Sequence, residues 1–167
     1  MIVLKDLDNA TCCFFGHRKI ERTKELEEKL KSVLDSLIVN KGVNTFLFGS
    51  KSEFNTLCYE IVSELKLKHP NIKRVYVRAE YPYINENYKK YILEMYEDTY
   101  YPDSVLNAGK AVYIKRNCEM IDKSLFCVCY YDKNYIPSIK GTQSRNSGTR
   151  IAYEYALNKG ICLVNVF

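Results

Sequence analysis

An α/β fold built on a parallel sheet is what this sequence predicts, and three observations carry it. Short apolar runs such as Thr11-Cys12-Cys13-Phe14-Phe15 and Leu125-Phe126-Cys127-Val128-Cys129 lack polar alternation, as strands covered on both faces do. Segments with apolar residues at helical spacing separate those runs. Turns rich in Gly and Ser recur beside them, at Gly16, Gly49-Ser50 and Ser147-Gly148-Thr149. Strands alternating with helices imply parallel pairing through right-handed crossovers. The simplest arrangement is a five-stranded sheet of order 3-2-1-4-5 with helices on both faces.

The elements follow in order. Thr11 to Phe15 is the first strand. A helix runs from Thr23 to Val39, with Leu26, Leu30, Val33, Leu34, Leu37 and Ile38 recurring on one face and Gly42 as its stop. Asn44 to Phe48 is the second strand. The next helix, Glu53 to Leu67, buries Phe54, Leu57, Cys58, Ile61 and Leu65, and Pro70 follows its end. Ile72 to Arg78 is the third strand, rich in β-branched residues. After the break at Tyr81-Pro82-Tyr83, Asn87 to Glu97 reads as a helix with Tyr88, Tyr91, Ile92 and Met95 inward. Thr99 to Gly109 reads as a loop. Ala111 to Asp122 reads as a helix with Ile114, Cys118 and Ile121 on one face. Ser124 to Tyr130 is the fourth strand and Tyr131 to Asn146 a polar loop. Ser147 to Asn158 is the last helix, Gly160 its stop, and Ile161 to Val166 the fifth strand.

Composition narrows the function classes. The chain has 167 residues, 47% hydrophobic and 27% charged, which suits one domain over 1–167 with a real core. No apolar run approaches the ~20 residues that span a bilayer. The opening Met1-Ile2-Val3-Leu4-Lys5-Asp6 lacks the pattern of a signal peptide, so a cytoplasmic address is expected. The net charge of +5 is spread among acids, as in Glu25-Leu26-Glu27-Glu28-Lys29. That favours an anionic small molecule over nucleic acid, whose binders concentrate charge on one face. The seven cysteines form no C-x-x-C pair, and the two histidines, His17 and His69, lie far apart. The cysteines read as small buried hydrophobes, with no metal and no cofactor expected.

A sheet of this order binds ligands beyond the carboxyl ends of its strands, where the strand order reverses. Gly16-His17-Arg18 ends the first strand there. Gly lets backbone approach a ligand, and Arg offers a fork of donors to phosphate. Gly49-Ser50-Lys51-Ser52-Glu53 repeats the theme after the second strand. Glu53 suits a ribose diol, a catalytic base, or the positive end of its helix. Arg116-Asn117 lies on the helix before the fourth strand, so Arg116 either meets phosphate in the crevice or faces solvent, and Asp122 ends or orients that helix. Ser147-Gly148-Thr149 is the strongest local signal: it caps a helix start, where unpaired N–H groups suit an anion, and Arg145 and Arg150 flank it. Among fifteen tyrosines, Tyr81, Tyr83, Tyr130 and Tyr131 lie near strand ends and suit stacking on a base, whereas Tyr88 and Tyr91 suit packing.

Four of these segments, in this order, resemble the YpsA-like branch of the SLOG superfamily: Cys12-Cys13-Phe14-Phe15-Gly16-His17-Arg18; Phe46-Leu47-Phe48-Gly49; Arg116-Asn117 with Met120-Ile121-Asp122; and Ser147-Gly148-Thr149 with Tyr155-Ala156. The resemblance spans nearly the whole chain. It implies a Rossmann-like three-layer fold and nucleotide binding. The superfamily includes the DNA-processing protein of natural transformation, the Lonely Guy phosphoribohydrolases and sensor domains of bacterial antiviral systems that recognise NAD-derived signals. The chain departs from it at Asn55, where relatives carry Asp, and at Ser147, where Gly is common. The Lonely Guy enzymes carry Glu shortly after the Gly-Thr pair; Ile151 and Ala152 stand there in this chain, and Glu154 comes too late.

The resulting expectation is a binding protein for a nucleotide-derived ligand of ADP-ribose or NAD-derived type, a sensor or sink in bacterial or phage defence. Its site comprises Gly16, His17, Arg18, Gly49, Ser50, Glu53, Arg116, Asn117, Ser147, Gly148 and Thr149. No catalytic residue is expected, unless the chain is a nucleotide N-glycosidase, for which Glu53 is the candidate carboxylate. A homo-oligomeric interaction module, using the tyrosine-rich middle as its surface, is the remaining alternative.

Overall fold

A computed structural model describes residues 10–81, 84–135 and 148–167. Six parallel strands form one sheet: β1 (Thr11–Gly16), β2 (Thr45–Phe48), β3 (Lys73–Val77), β4 (Asp98–Tyr100), β5 (Phe126–Tyr130) and β6 (Cys162–Asn165), in the order β4-β3-β2-β1-β5-β6. Among the described residues five α-helices connect them, α1 (Lys24–Lys41), α2 (Glu53–Lys68), α3 (Glu86–Met95), α4 (Val112–Asp122) and α5 (Gly148–Lys159), with two short 3-10 helices between β4 and α4. The α/β class, parallel pairing and two covered faces are as the sequence predicts. The strand count is not: six strands stand where five were expected. The five expected strands keep their relative order, and the sixth, β4, occupies the edge beside β3, in the stretch that reads as a loop.

Alternation along the strands divides the core. Cys12 and Phe14 of β1, Phe46 and Phe48 of β2, and Val128 and Tyr130 of β5 pack with the buried faces of α1, α2 and α3. Cys13, Phe15, Leu47, Cys127 and Cys129 point the other way, against Met120 and Ile121 of α4 and Ala152 and Ala156 of α5. Successive strand residues face opposite sides, so an uninterrupted apolar run supplies both layers. The cysteines are all free: five are buried, Cys118 is half-buried and Cys162 exposed. Burial pushes the thiols of Cys12, Cys58 and Cys127 upward, and that of Cys129 to about 12, so they act as small apolar side chains.

Helix ends follow local chemistry. Thr23 caps α1 by accepting the Leu26 N–H at 3.1 Å, and Gly42, at φ 68°, closes it in the left-handed region. Ser52 caps α2 by accepting the Asn55 N–H at 3.0 Å. Two inward faces differ from expectation. On α3, Ile92 is buried and Tyr88 and Met95 are half-buried, while Tyr91 is 54% exposed. On α4 the face toward the sheet is Val112, Arg116 and Met120, together with Ile121; Ile114 is exposed and Cys118 only half-buried. Residues four apart on a helix share a face, and Val112, Arg116 and Met120 are so spaced. The Arg breaks the apolar pattern from which the sequence is read.

No helix among the described residues is long and apolar enough to cross a membrane.

Candidate functional site

Parallel strands place all their carboxyl ends on one rim, and the turns leaving β1, β2 and β5 meet there. Gly16 pairs with Tyr130 across β1 and β5. A side chain on Gly16 would come within 2.7 Å of Phe54 Cβ, so glycine is required by the close approach of α2. The buried face of Gly16 thus serves packing.

His17 is also built in. It is 1% exposed, its main-chain N–H donates to the Tyr130 carbonyl at 3.3 Å, and its Nε2 accepts the Asp132 N–H at 2.8 Å. Nε2 also lies 3.2 Å from the Asp132 carbonyl, while Nδ1 is buried with no hydrogen-bond partner among the described residues. The ring stacks on Tyr135 at 3.9 Å. Burial lowers its pKa, and the Asp132 contacts only partly oppose this, so the neutral form is favoured. His17 ties the segment after β5 to the end of β1. Asn165 holds the same segment from β6: it accepts the Tyr131 N–H at 3.0 Å and donates to the Tyr131 carbonyl at 2.9 Å.

Arg18 and Glu53 join two turns. The Arg18 carbonyl accepts the Glu53 N–H, and Glu53 Oε2 accepts the Ile20 N–H, both at 2.8 Å. The Arg18 side chain is exposed. Glu53 is therefore a tether between the β1–α1 and β2–α2 connections, in addition to an acid in the first turn of α2.

The second gathering lies at the end of β2. Ser50 Oγ bonds Ser52 Oγ at 2.8 Å, which steadies the cap of α2, and the buried Asn55 accepts the Gly49 N–H at 3.4 Å. A side chain on Gly49 would sit 2.6 Å from Arg116 Cδ and 2.7 Å from Met120 Sδ. Arg116 passes through that gap. It is 5% exposed, donates from Nε to Asn117 Oδ1 at 3.2 Å, and lies 5.8 Å from the Tyr113 ring centre. It forms no ion pair with a carboxylate among the described residues; the titratable groups acting on it are the phenols of Tyr76, Tyr113 and Tyr88. Burial lowers its pKa, and those phenols oppose the shift. The solvent-facing alternative for Arg116 is thereby overturned.

No protein-family model and no curated protein matches the chain.

The expected site residues thus fall into two groups on either side of β1. Gly16 and His17 meet Tyr130, Tyr131 and Asp132 at β5; Gly49, Ser50, Arg116 and Asn117 gather at β2. The start of α5 is linked to the first group through Tyr153, whose ring stacks on Tyr131 at 4.4 Å. Thr149 is half-buried, and a side chain on Gly148 would meet open space. Ser147, Tyr83 and Arg145 lie outside the described residues. Tyr130 is a core residue, packed on Phe54, His17 and Phe167 rather than presented for stacking; Tyr81 is exposed. Two shallow cavities have other linings. One, of about 230 Å³, lies between the start of α1 and the end of β6, beside Tyr130. The other, of about 370 Å³, is on the opposite rim, against Val43, His69 and Ile72.

The sequence reading missed Tyr76, Tyr113 and Asn165. For Tyr113 the signal was present, since it lies three residues before Arg116 on one helix. Tyr76 and Asn165 are brought in by strand pairing, which local spacing does not reveal. Among the described residues no group of three His, Cys, Asp or Glu side chains is arranged to hold a metal ion.

Proposed function

We propose that the chain binds an anionic, nucleotide-derived small ligand of ADP-ribose or NAD-derived type at the carboxyl rim of its sheet, as a sensor or sink. The observation that carries this is Arg116, a buried guanidinium without a carboxylate partner among the described residues. A buried charge is costly unless an opposite charge meets it. Surface arginines incur no such cost, so a chain that keeps this one buried gains from what it binds. The rim position agrees with where parallel sheets take ligands, and the four SLOG-like segments supply the ligand class.

Cleavage of an N-glycosidic bond requires a carboxylate that meets the substrate. The engagement of Glu53 with the Ile20 N–H supports binding rather than turnover. Isothermal titration with ADP-ribose, its cyclic variants and common mononucleotides tests the proposal. Heat at sub-millimolar ligand is expected from at least one, with the ligand recovered intact by chromatography. Silence from all of them would sink the idea, and release of free base would move the protein to the hydrolases.

A further inference from the structure

The β2–α2 turn combines three features that no other strand end in the described residues combines. First, the main-chain N–H groups of Ser50 and Lys51 meet no acceptor among the described residues, immediately before the N-cap of α2. Such groups sit at the positive end of the helix. Second, Arg116 reaches this turn through the space left by Gly49. It is 5% exposed, and its two terminal amino groups have no acceptor among the described residues. Third, Lys51 Nζ lies 5.1 Å above the ring of Tyr88, one of the phenols acting on Arg116. The Tyr88 hydroxyl in turn meets that of Tyr76 at 3.4 Å. Two cations therefore flank one phenol pair, beside a helix start, and neither forms an ion pair with a carboxylate among the described residues.

We infer that the phosphoryl group of the ligand is held at this turn, by Arg116, Lys51 and the N–H groups of Ser50 and Lys51, rather than at the start of α5. The inference rests on the proposed binding of a nucleotide-derived ligand and locates its charged end. The class of group is a phosphoryl moiety with two negative charges in all, a terminal monophosphate or the diphosphate bridge of an ADP-ribose-type ligand, and these meet two cations. A guanidinium presents paired donors that match phosphate oxygens, and an ammonium adds a point charge. Gly49 is the positioning residue: its missing side chain is the path by which Arg116 arrives.

The location also fixes orientation. β1 lies between β2 and β5, so the ends of β2 and β5 are two strand spacings apart, about 10 Å. A ligand anchored by phosphate at β2 extends across the end of β1 toward Tyr131.

Binding of AMP, inorganic phosphate and adenosine to the wild type and to Arg116→Met, Lys51→Ala and Thr149→Ala tests this, read by calorimetry and by thermal shift. AMP is expected to bind the wild type and adenosine to bind at least about tenfold more weakly, with inorganic phosphate competing against AMP. Arg116→Met is expected to weaken AMP by about tenfold or more, the loss of a charged hydrogen-bonding partner. Lys51→Ala removes an exposed side chain and leaves the core intact; it is expected to weaken AMP several-fold, and more than Thr149→Ala does. If AMP binds as tightly to Arg116→Met and Lys51→Ala as to the wild type, the phosphate lies elsewhere and this inference fails, while nucleotide binding stands. If neither AMP nor the ADP-ribose panel binds the wild type, both fall.

Discussion

Gly16 ends β1 and Gly49 follows its neighbour β2; the two look alike in sequence, yet they are glycine for different reasons. The space a side chain would need at Gly16 is filled by Phe54, a fully buried ring. The space at Gly49 is filled by the long, unbranched side chains of Arg116 and Met120. Gly16→Ala therefore overpacks a core that has little room to shift. It is expected to lower stability by about 1–3 kcal/mol, seen as a reduced midpoint in urea with an unchanged slope. Gly49→Ala is expected to displace Arg116 instead, with its larger effect on ligand affinity. Both residues were legible as special from their place after a strand. What set them apart was the neighbour across the sheet, which a linear reading does not supply. His17 shows the same limit. A histidine after Gly16 reads as a ligand contact; the fold gives its Nε2 to the Asp132 N–H, 115 residues away.

At the scale of elements, the strands and helices with uninterrupted or regularly spaced apolar residues were legible, because burial on both faces imposes that pattern. β4 was not. It has three residues, and its flanks Asp98 and Tyr100 are polar or amphipathic. It is held by contacts distant in sequence: Thr99 Oγ1 donates to the Tyr76 carbonyl at 2.7 Å, and Glu97 anchors its entry. The Glu97 carboxylate accepts from the Arg74 side chain and main-chain N–H and pairs with Lys66 at 3.2 Å, while the Glu97 N–H donates to the Arg74 carbonyl. Burial alone would raise the pKa of Glu97, but the Arg74 hydrogen bonds outweigh it and bring the carboxyl down to about 2. A carboxylate whose folded pKa is depressed stabilises the fold above its unfolded value, and that contribution is lost as pH falls from about 4.5 through 2. Solvent reaches the group, so screening reduces the gain to the order of 1–2 kcal/mol. Urea unfolding at pH 7 and pH 3 is expected to differ less in Glu97→Gln than in the wild type, by a little over half of this amount, since at pH 3 the folded carboxyl is still mostly ionised.

For the whole molecule, the order β4-β3-β2-β1-β5-β6 puts the change of direction at β1, and every connection described at the carboxyl ends of β1, β2 and β5 contributes a tether there. His17 to Asp132, Asn165 to Tyr131 and Glu53 to Ile20 fix the rim without using Arg116. The scaffold is thus complete while one buried cation remains unmatched, and stability and binding should respond to it in opposite senses. Replacing Arg116 by Met keeps an unbranched stem about as far as Nε and removes the charge from a buried site beside Met120. Without ligand, the variant is expected to be more stable than the wild type, by about 1–3 kcal/mol, since an unpaired buried charge is lost. With ligand, the gap should narrow, by about 1.4 kcal/mol for each tenfold loss of affinity. A ligand at a hundred times its dissociation constant adds about 2.7 kcal/mol to the state that binds it, or about 5–10 °C in melting temperature for a chain of this size. Melting curves of both proteins across a nucleotide titration should therefore converge: Arg116→Met higher at zero ligand and rising less, the wild type lower and rising more, with a crossing where the loss of affinity outweighs the gain in stability. Parallel curves would mean that Arg116 is a packing residue and that the rim takes its anion, if any, without it.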